Sequence, residues 1–263
     1  MTLAARVAPH VPPGVIARLA GALYPRFEPE LARLDDFLPP APALHTAVDV
    51  GGWYGPWSRK LAGRARQVVT LEPVPHLSRV LTATAPTNVR VIAAAASDRD
   101  GTGSLWLPRA DGRHDDRGDR GTSSLVRRDL HGVELSVAVV TLDGLGLHDV
   151  GFMKIDVDGN ELPVLQGAHT LLTRDRPALF IELETRIQPV APVVDLLIGL
   201  GYTGWVLPAR GWVRLDDFDL PAHQAATQHV VSQGLVRRAV TPQRPRYVNS
   251  VLFLPDGHRP RGA

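Results

Sequence analysis

Apolar residues recur along this chain in two rhythms. From Val15 to Leu23 and from Glu28 to Leu38 they return at three-and-four spacing, with Ile16, Leu19 and Leu23 followed by Leu31, Leu34 and Leu38, which predicts two helices. The proline-rich stretch Pro39 to Pro42 ends them. From Thr46 onward the rhythm changes to short, nearly continuous apolar runs rich in β-branched residues: Thr46 to Val50, Gln67 to Leu71, Val89 to Ala93, Phe152 to Val157 and Ala178 to Leu183. Such runs, separated by helical stretches, predict a parallel sheet covered on both faces. Tyr202 to Leu207 and Val248 to Leu254 read as two further strands, one of them an antiparallel edge. Before them, Val193 to Leu200 reads as a helix closed by Gly201. The expected organisation is an N-terminal helical extension over residues 1–45 and one α/β domain over residues 46–263.

An insertion separates the third and fourth runs. Ser104 to Leu107 and Glu134 to Val140 alternate as strands, and Pro108 to Gly121 between them is rich in charge and glycine. His114, Asp115, Asp116 and Asp119 lie there, and a run of that composition is expected to be solvated and to hold no metal.

Composition narrows the classes without choosing among them. With 44% hydrophobic and 21% charged residues in 263, the chain is an ordinary globular one. It contains no Cys, which excludes disulfides, thiolate metal sites and cysteine nucleophiles. Lys plus Arg (29) barely exceeds Asp plus Glu (27), and the excess is scattered, so no nucleic-acid partner is expected. No apolar run suits a membrane span or a signal sequence, so the expected location is cytoplasmic, with no membrane partner. All basic residues except Lys60 and Lys154 are Arg, the mark of a GC-rich bacterial coding sequence.

The candidate chemistry gathers at the ends of the predicted strands. The first runs into Asp49-Val-Gly-Gly-Trp-Tyr-Gly-Pro, a glycine turn that lets a ligand approach backbone closely. A dinucleotide fingerprint would need glycines where Gly51, Trp53 and Pro56 stand, so pyrophosphate is not the expected ligand. Asp49 before the turn suits an amine or another cation, with Gly51, Gly52 and Gly55 forming the cradle. Glu72, followed by Pro73, ends the second strand, where a carboxylate can accept bonds from two ribose hydroxyls. After the third strand, Ser97 and Asp98 could bond the edge of an adenine. On the fourth, Lys154, Asp156 and Asp158 alternate to one side, an unusual load for a core strand. The alternatives are a ligand site or an internal ion pair of Lys154 with an Asp. Glu182 falls beside Asp156 if the fourth and fifth strands are neighbours, and Asn160 is placed to cap the helix that follows.

Asp49 to Gly55, Glu72-Pro73, Ala96 to Asp98, Thr141 to Asp143 and above all Phe152 to Ala168 resemble the FkbM family of S-adenosylmethionine-dependent methyltransferases, over about Thr46 to Glu184, with Asn249 to Pro255 similar to its last strand. The resemblance implies a class I methyltransferase fold, Rossmann-like, with a mostly parallel seven-stranded sheet, helices on both faces and an antiparallel edge strand. It implies S-adenosylmethionine as cofactor and O-methylation of a hydroxyl on a small-molecule acceptor, a natural product or sugar. The family usually has Glu where Asp158 stands, and the position of Asn160 varies, so these two are assigned to the acceptor side without a specificity. Asp156, then Glu182, are the candidates for general base. No metal is assigned, although Asp156, Asp158 and Glu182 could in principle ligate a divalent cation. The N-terminal helices and Pro208 to Tyr247 are expected to close the acceptor pocket, with Trp205, Trp212, Phe218 and Tyr247 as walls or as edge-strand packing. The competing readings are a nicotinamide-dependent oxidoreductase and a non-catalytic binding protein on the same fold. The oligomeric state is left open.

Overall fold

The computed structural model describes residues 13–26, 28–41, 43–108, 123–128, 131–231 and 246–263. The acidic cluster His114 to Asp119 and residues 232–245 of the expected pocket cover lie outside them.

Most of the apolar runs become strands because they are buried on both sides, the edge run Val89–Ile92 being only partly covered. The main sheet contains β1 (Leu44–Val50), β2 (Ala65–Leu71), β3 (Val89–Ile92), β7 (Val150–Ile155), β8 (Ala178–Glu182), β9 (Tyr202–Val206), β10 (Val213–Arg214) and β11 (Ser250–Pro255). Their spatial order is β3-β2-β1-β7-β8-β11-β9-β10. Strands β3, β2, β1, β7 and β8 are mutually parallel, whereas β11 runs antiparallel to both β8 and β9. The sheet therefore has eight strands where seven are expected, and its antiparallel strand β11 is interior. The short β10, antiparallel to β9, forms the edge. The order reverses between β1 and β7, the crevice where open α/β sheets bind ligands.

The charged insertion builds a separate sheet. Strands β5 (Gly101–Pro108) and β6 (His131–Val140) pair antiparallel, and β4 (Ala95–Ala96) pairs parallel with β6. Helices α1 (Pro13–Leu23), α2 (Pro56–Ala62), α3 (Pro75–Thr84), α4 (Glu161–Gln166), α5 (His169–Asp175), α6 (Ala191–Gly199) and α7 (Leu220–Val231) complete the order. Gly201 follows α6 at φ 75°, the left-handed residue expected there. No helix of the described residues is long and apolar enough to cross a membrane.

Period-two alternation splits the core. Val48, Val50, Met153, Ile155, Leu179 and Ile181 face one side, against Val164, Leu171, Val193 and Leu197 of the helices. Ala47, Val68, Phe152, Phe180 and Leu252 face the other, against Trp57 and Leu61 of α2 and against Leu31, Leu34 and Leu38.

Those three leucines correct the reading of Glu28 to Leu38 as a helix. The segment forms 3-10 turns over Tyr24–Arg26, Pro29–Ala32 and Leu34–Asp36. Pro29 removes a backbone donor, and a tighter i to i+3 winding brings residues three apart onto one line against the sheet. The resulting strap is tied to the last third of the chain. Arg246 makes two bonds of 2.7 Å to the buried Glu30, Trp212 Nε1 donates to Asp36 at 2.8 Å, and the Arg261 amide donates to the Asp36 carbonyl. Of the expected pocket walls, Trp205 and Trp212 pack into this strap-side core and Phe218 against the opposite one, so these three follow the packing alternative.

Candidate active site

On the strap side the sheet turns from apolar to charged within two pleats. Register places Ala47 beside Phe152, then Asp49 beside Lys154 and Thr70. One pleat further come Gly51, Asp156 and, across the β8–β11 pair, Glu182 opposite Ser250. The first positions fill a core. The last ones stand at the carboxyl ends beside the switch point.

The glycine turn between β1 and α2 is dictated by this crowding. Gly51 has φ 83°, and a Cβ there would lie 1.9 Å from the Asp156 carbonyl oxygen, so no other residue fits. A Cβ on Gly52 would meet Thr70 Cγ2 at 2.3 Å. Gly55, at φ 79°, starts α2 from the left-handed region. The turn satisfies its own donors: the Gly51 and Gly52 amides both donate to the Leu71 carbonyl (3.0 and 3.1 Å), and the Trp53 amide donates to Glu72 Oε2 at 2.8 Å. The amides of Gly51, Gly52, Trp53 and Gly55 are spent inside the protein. The acceptor oxygens are what remain. Asp49 is fully buried and takes Ser58 Oγ on Oδ2, while its Oδ1 has no hydrogen-bond partner. Burial raises its carboxyl above the ordinary range, Lys154 opposing.

Glu72 accepts the Trp53 amide on one oxygen and the Val74 amide, at 2.9 Å, on the other. Each oxygen keeps a lone pair. Burial pushes this carboxyl up to about 7 despite the two amide bonds. Pro73 lies between these contacts and fixes the chain's turn away from β2.

Lys154 is the cation at the centre. Its Nζ donates to Asp156 Oδ2 at 2.9 Å and to the Gly51 carbonyl at 3.4 Å, which is the internal ion pair weighed above. Burial alone would depress this ammonium, but Asp156, Asp49 and Glu28 overrule it and hold Lys154 above its ordinary value. Asp156 and Glu182 are hydrogen-bonded neighbours, as strand adjacency requires. Burial pushes Asp156 up, yet Lys154 and the bonds from Glu182 and Lys154 bring it below the usual carboxylate range. Burial and the Asp156 charge drive Glu182 well above. The two carboxyls are thus driven in opposite directions, and Asn249 Nδ2 donates to Glu182 Oε1. The Asp156 side chain is 23% exposed whereas that of its ion-pair partner Lys154 is 3%, so within this ion pair the carboxylate is the reachable member.

Asp158 does not join its strand neighbours. Strand β7 ends at Ile155, and Asp158 sits at φ 52° in the turn beyond, 3.6 Å from Arg128, with its carbonyl accepting Ser124 Oγ at 2.7 Å. Burial, then Asp156, raises its carboxyl well above normal against the pull of Arg128. Among the described residues no group of three His, Asp or Glu is arranged to hold a metal ion. Asn160 occupies the N-cap position of α4 but makes no capping bond. Its amide donates instead to the Ala96 carbonyl (3.0 Å) and Ser97 Oγ (3.4 Å), because the turn passes directly over β4. Asn160 therefore braces the loop carrying Ser97, whose hydroxyl donates to Asp98 Oδ1 at 3.2 Å.

Two residues of the site escaped the sequence reading. Glu28, on the strap, is buried and accepts Trp57 Nε1 at 2.6 Å and Ser250 Oγ at 3.2 Å. Burial pushes it up to about 7, with Lys154 pulling the other way. Tyr24 packs 5.8 Å from the Trp53 ring and feels the charges of Glu28, Asp156 and Glu182, which add to burial in holding its phenol well above normal. The signal for Glu28 was its spacing, three before Leu31 and six before Leu34, a carboxylate on an otherwise apolar line.

A parallel sheet of this order, with a glycine turn after β1 and a carboxylate after β2, defines a Rossmann-like methyltransferase fold. The family model of the methyltransferase FkbM domain matches residues 45–203, and the chain belongs to that family. Among solved structures it is similar to the methyltransferase FkbM from Methylobacillus flagellatus KT, at 15% identity and a TM-score of 0.44, covering 89% of this chain and 60% of that one. The chain thus spans less than two thirds of that relative's length. It is also similar to precorrin 8w decarboxylase from Methanobacterium thermoautotrophicum, at 13% identity and a TM-score of 0.41, covering 86% of each chain. No curated protein matches the sequence.

Proposed function

We propose that this methyltransferase uses S-adenosylmethionine to methylate a hydroxyl of a small molecule, a natural product or a sugar moiety. The observation that carries the reading is Asp49 Oδ1: a buried carboxylate oxygen without a partner, beneath the glycine turn at the switch point, suits a ligand that brings an ammonium or sulfonium charge. The turn's occupied amides speak against a pyrophosphate, and with it against the nicotinamide alternative.

When bound, S-adenosylmethionine supplies an electrophilic methyl group on a positively charged sulfur. The residues that would hold it are Asp49 with the Gly51–Gly55 turn, Glu72 and Pro73 at the ribose, and Ser97 and Asp98 at the adenine. The protein's own work is orientation of the acceptor oxygen, worth up to ~7 to 11 kcal/mol, and removal of its proton. Asp156 accepts that proton as the partly exposed carboxylate that Lys154 holds below the usual range, while Glu182, driven well above it, donates to Asp156. Asp158, held by Arg128 at the rim, is assigned to the acceptor side.

Calorimetric titration of the folded chain with S-adenosylmethionine should give saturable binding, and incubation with labelled cofactor and hydroxylated small molecules should transfer label to oxygen. Absence of binding by a folded protein sinks the reading. Glu72→Ala should weaken cofactor binding by roughly 1.5 to 3 kcal/mol, the worth of hydrogen bonds to a charged group. A smaller loss in the same titration would leave Glu72 as a brace for the Trp53 and Val74 amides alone.

A further inference from the structure

Three carboxyl groups, those of Glu28, Asp49 and Asp156, surround one buried ammonium, Lys154, and a fourth, Glu182, stands beside Asp156. The unpartnered Asp49 Oδ1 marks the cluster as built for one more positive group. Glu28 is the member delivered by the strap. It faces Lys154 and Asp156 from β7, Glu182 from β8, and Tyr24 and Glu30 from its own segment, with Trp57 of α2 and Ser250 of β11 as its neutral donors.

Methylation of a hydroxyl changes the charge at such a place. The acceptor oxygen forms its bond to the methyl carbon, the carbon–sulfur bond breaks with its electron pair going to sulfur, and the hydroxyl proton leaves. One positive charge vanishes from sulfur and one proton appears. In a low-dielectric site, keeping that proton leaves the net charge unchanged, whereas expelling it strands the carboxylates with one cation fewer.

We propose that Glu28 compensates this change: its carboxyl gives up a proton when the cationic methyl donor binds and holds one when the neutral thioether product is left. The inference rests on the cofactor reading of the preceding section. Burial brings Glu28 up to about 7, so both forms are accessible near neutral pH.

The test is calorimetry of the full chain near neutral pH with S-adenosylmethionine and with S-adenosylhomocysteine, each in buffers of widely different ionisation enthalpy. Donor binding should release more protons than product binding, by a fraction approaching one, and Glu28→Gln should remove the difference while both ligands still bind. Over the titration range of Glu28 the ratio of donor to product affinity should rise with pH, by up to about tenfold per unit. Should Glu28→Gln fail to fold, that pH series on the unaltered protein carries the test, and a flat ratio overturns the proposal. Equal proton counts for the two ligands, or a difference that persists in Glu28→Gln, also overturn it and leave the cofactor reading intact. No binding of either ligand by folded protein overturns both.

Discussion

Asp156→Asn should lower turnover by about a hundredfold or more while cofactor affinity stays close to that of the unaltered protein, because positioned proton transfer contributes roughly 10² to 10⁴. The substitution keeps shape and removes a partly exposed carboxylate that Lys154 holds below the usual range. It also leaves Lys154 without its 2.9 Å partner, so Glu182 is drawn to ionise in compensation, and part of the loss will come from that rearrangement. Single-turnover rate and affinity measured on the same variant separate the effects. A variant that binds more weakly but reacts at the normal rate would make Asp156 a cofactor ligand. One normal in both would remove it from the site. If Asp156, Asp158 and Glu182 held a divalent cation, chelator would stop the reaction and magnesium restore it. Because Asp158 turns to Arg128, chelator is expected to have no effect.

The second large effect is on stability, and its sign opposes the usual behaviour of carboxylates. Burial holds Glu28, Glu72 and Glu161 up to about 7. In the unfolded chain such groups titrate near 4.3, so between about pH 4.3 and 7 the native state binds more protons and stability falls as pH rises. Above about pH 7 each group has imposed its full cost, roughly 4 kcal/mol for a rise of about 2.7 units at 1.36 kcal/mol per unit. Asp49, Asp158 and Glu182 are raised as well and act in the same direction. Asp156 is lowered, so its contribution is present above its unfolded value near 3.9 and stays constant over this window. The ligand-free protein should therefore unfold at a clearly higher temperature at pH 5.5 than at pH 8, in buffers of equal ionic strength. Equal midpoints would mean that these carboxyls are ionised and solvated in the native state. Bound cation should narrow the gap, since it stabilises the ionised forms.

Much of this arrangement was legible in the sequence because it rests on alternation. Period two put Val48 and Val50 on one face and Asp49 on the other, and it put Lys154 and Asp156 on a shared side. Strand adjacency then made Glu182 the neighbour of Asp156. Alternation failed where the strand stopped: Asp158 lies beyond Ile155 at a positive φ, and nothing in the residue type announces that turn. The spacing of Leu31, Leu34 and Leu38 marked a buried line correctly but not its winding, since three-and-four spacing and 3-10 turns share their first repeats. Helix α7 and the edge strand β10 were missed because Pro208 to Tyr247 shows no clear apolar period. Glu28 was missed for a different reason. Its partners Trp57 and Ser250 lie 29 and 222 residues away, and single-sequence patterns carry no information about such pairs.

That same long reach governs how the protein comes to be made. Glu28 meets Ser250 across 222 positions and Glu30 meets Arg246 across 216, so the strap cannot settle on the sheet until β11 has inserted between β8 and β9. Closing loops of this length before any contact rewards them slows folding, and an emerging chain folds its early segments first. Until β11 is in place the growing sheet exposes Ala47, Trp57 and Phe152 without the cover of the strap, along with a row of acids still in water. Chaperone binding during translation, and slow recovery after dilution from denaturant, follow from a chain whose beginning must wait for its end.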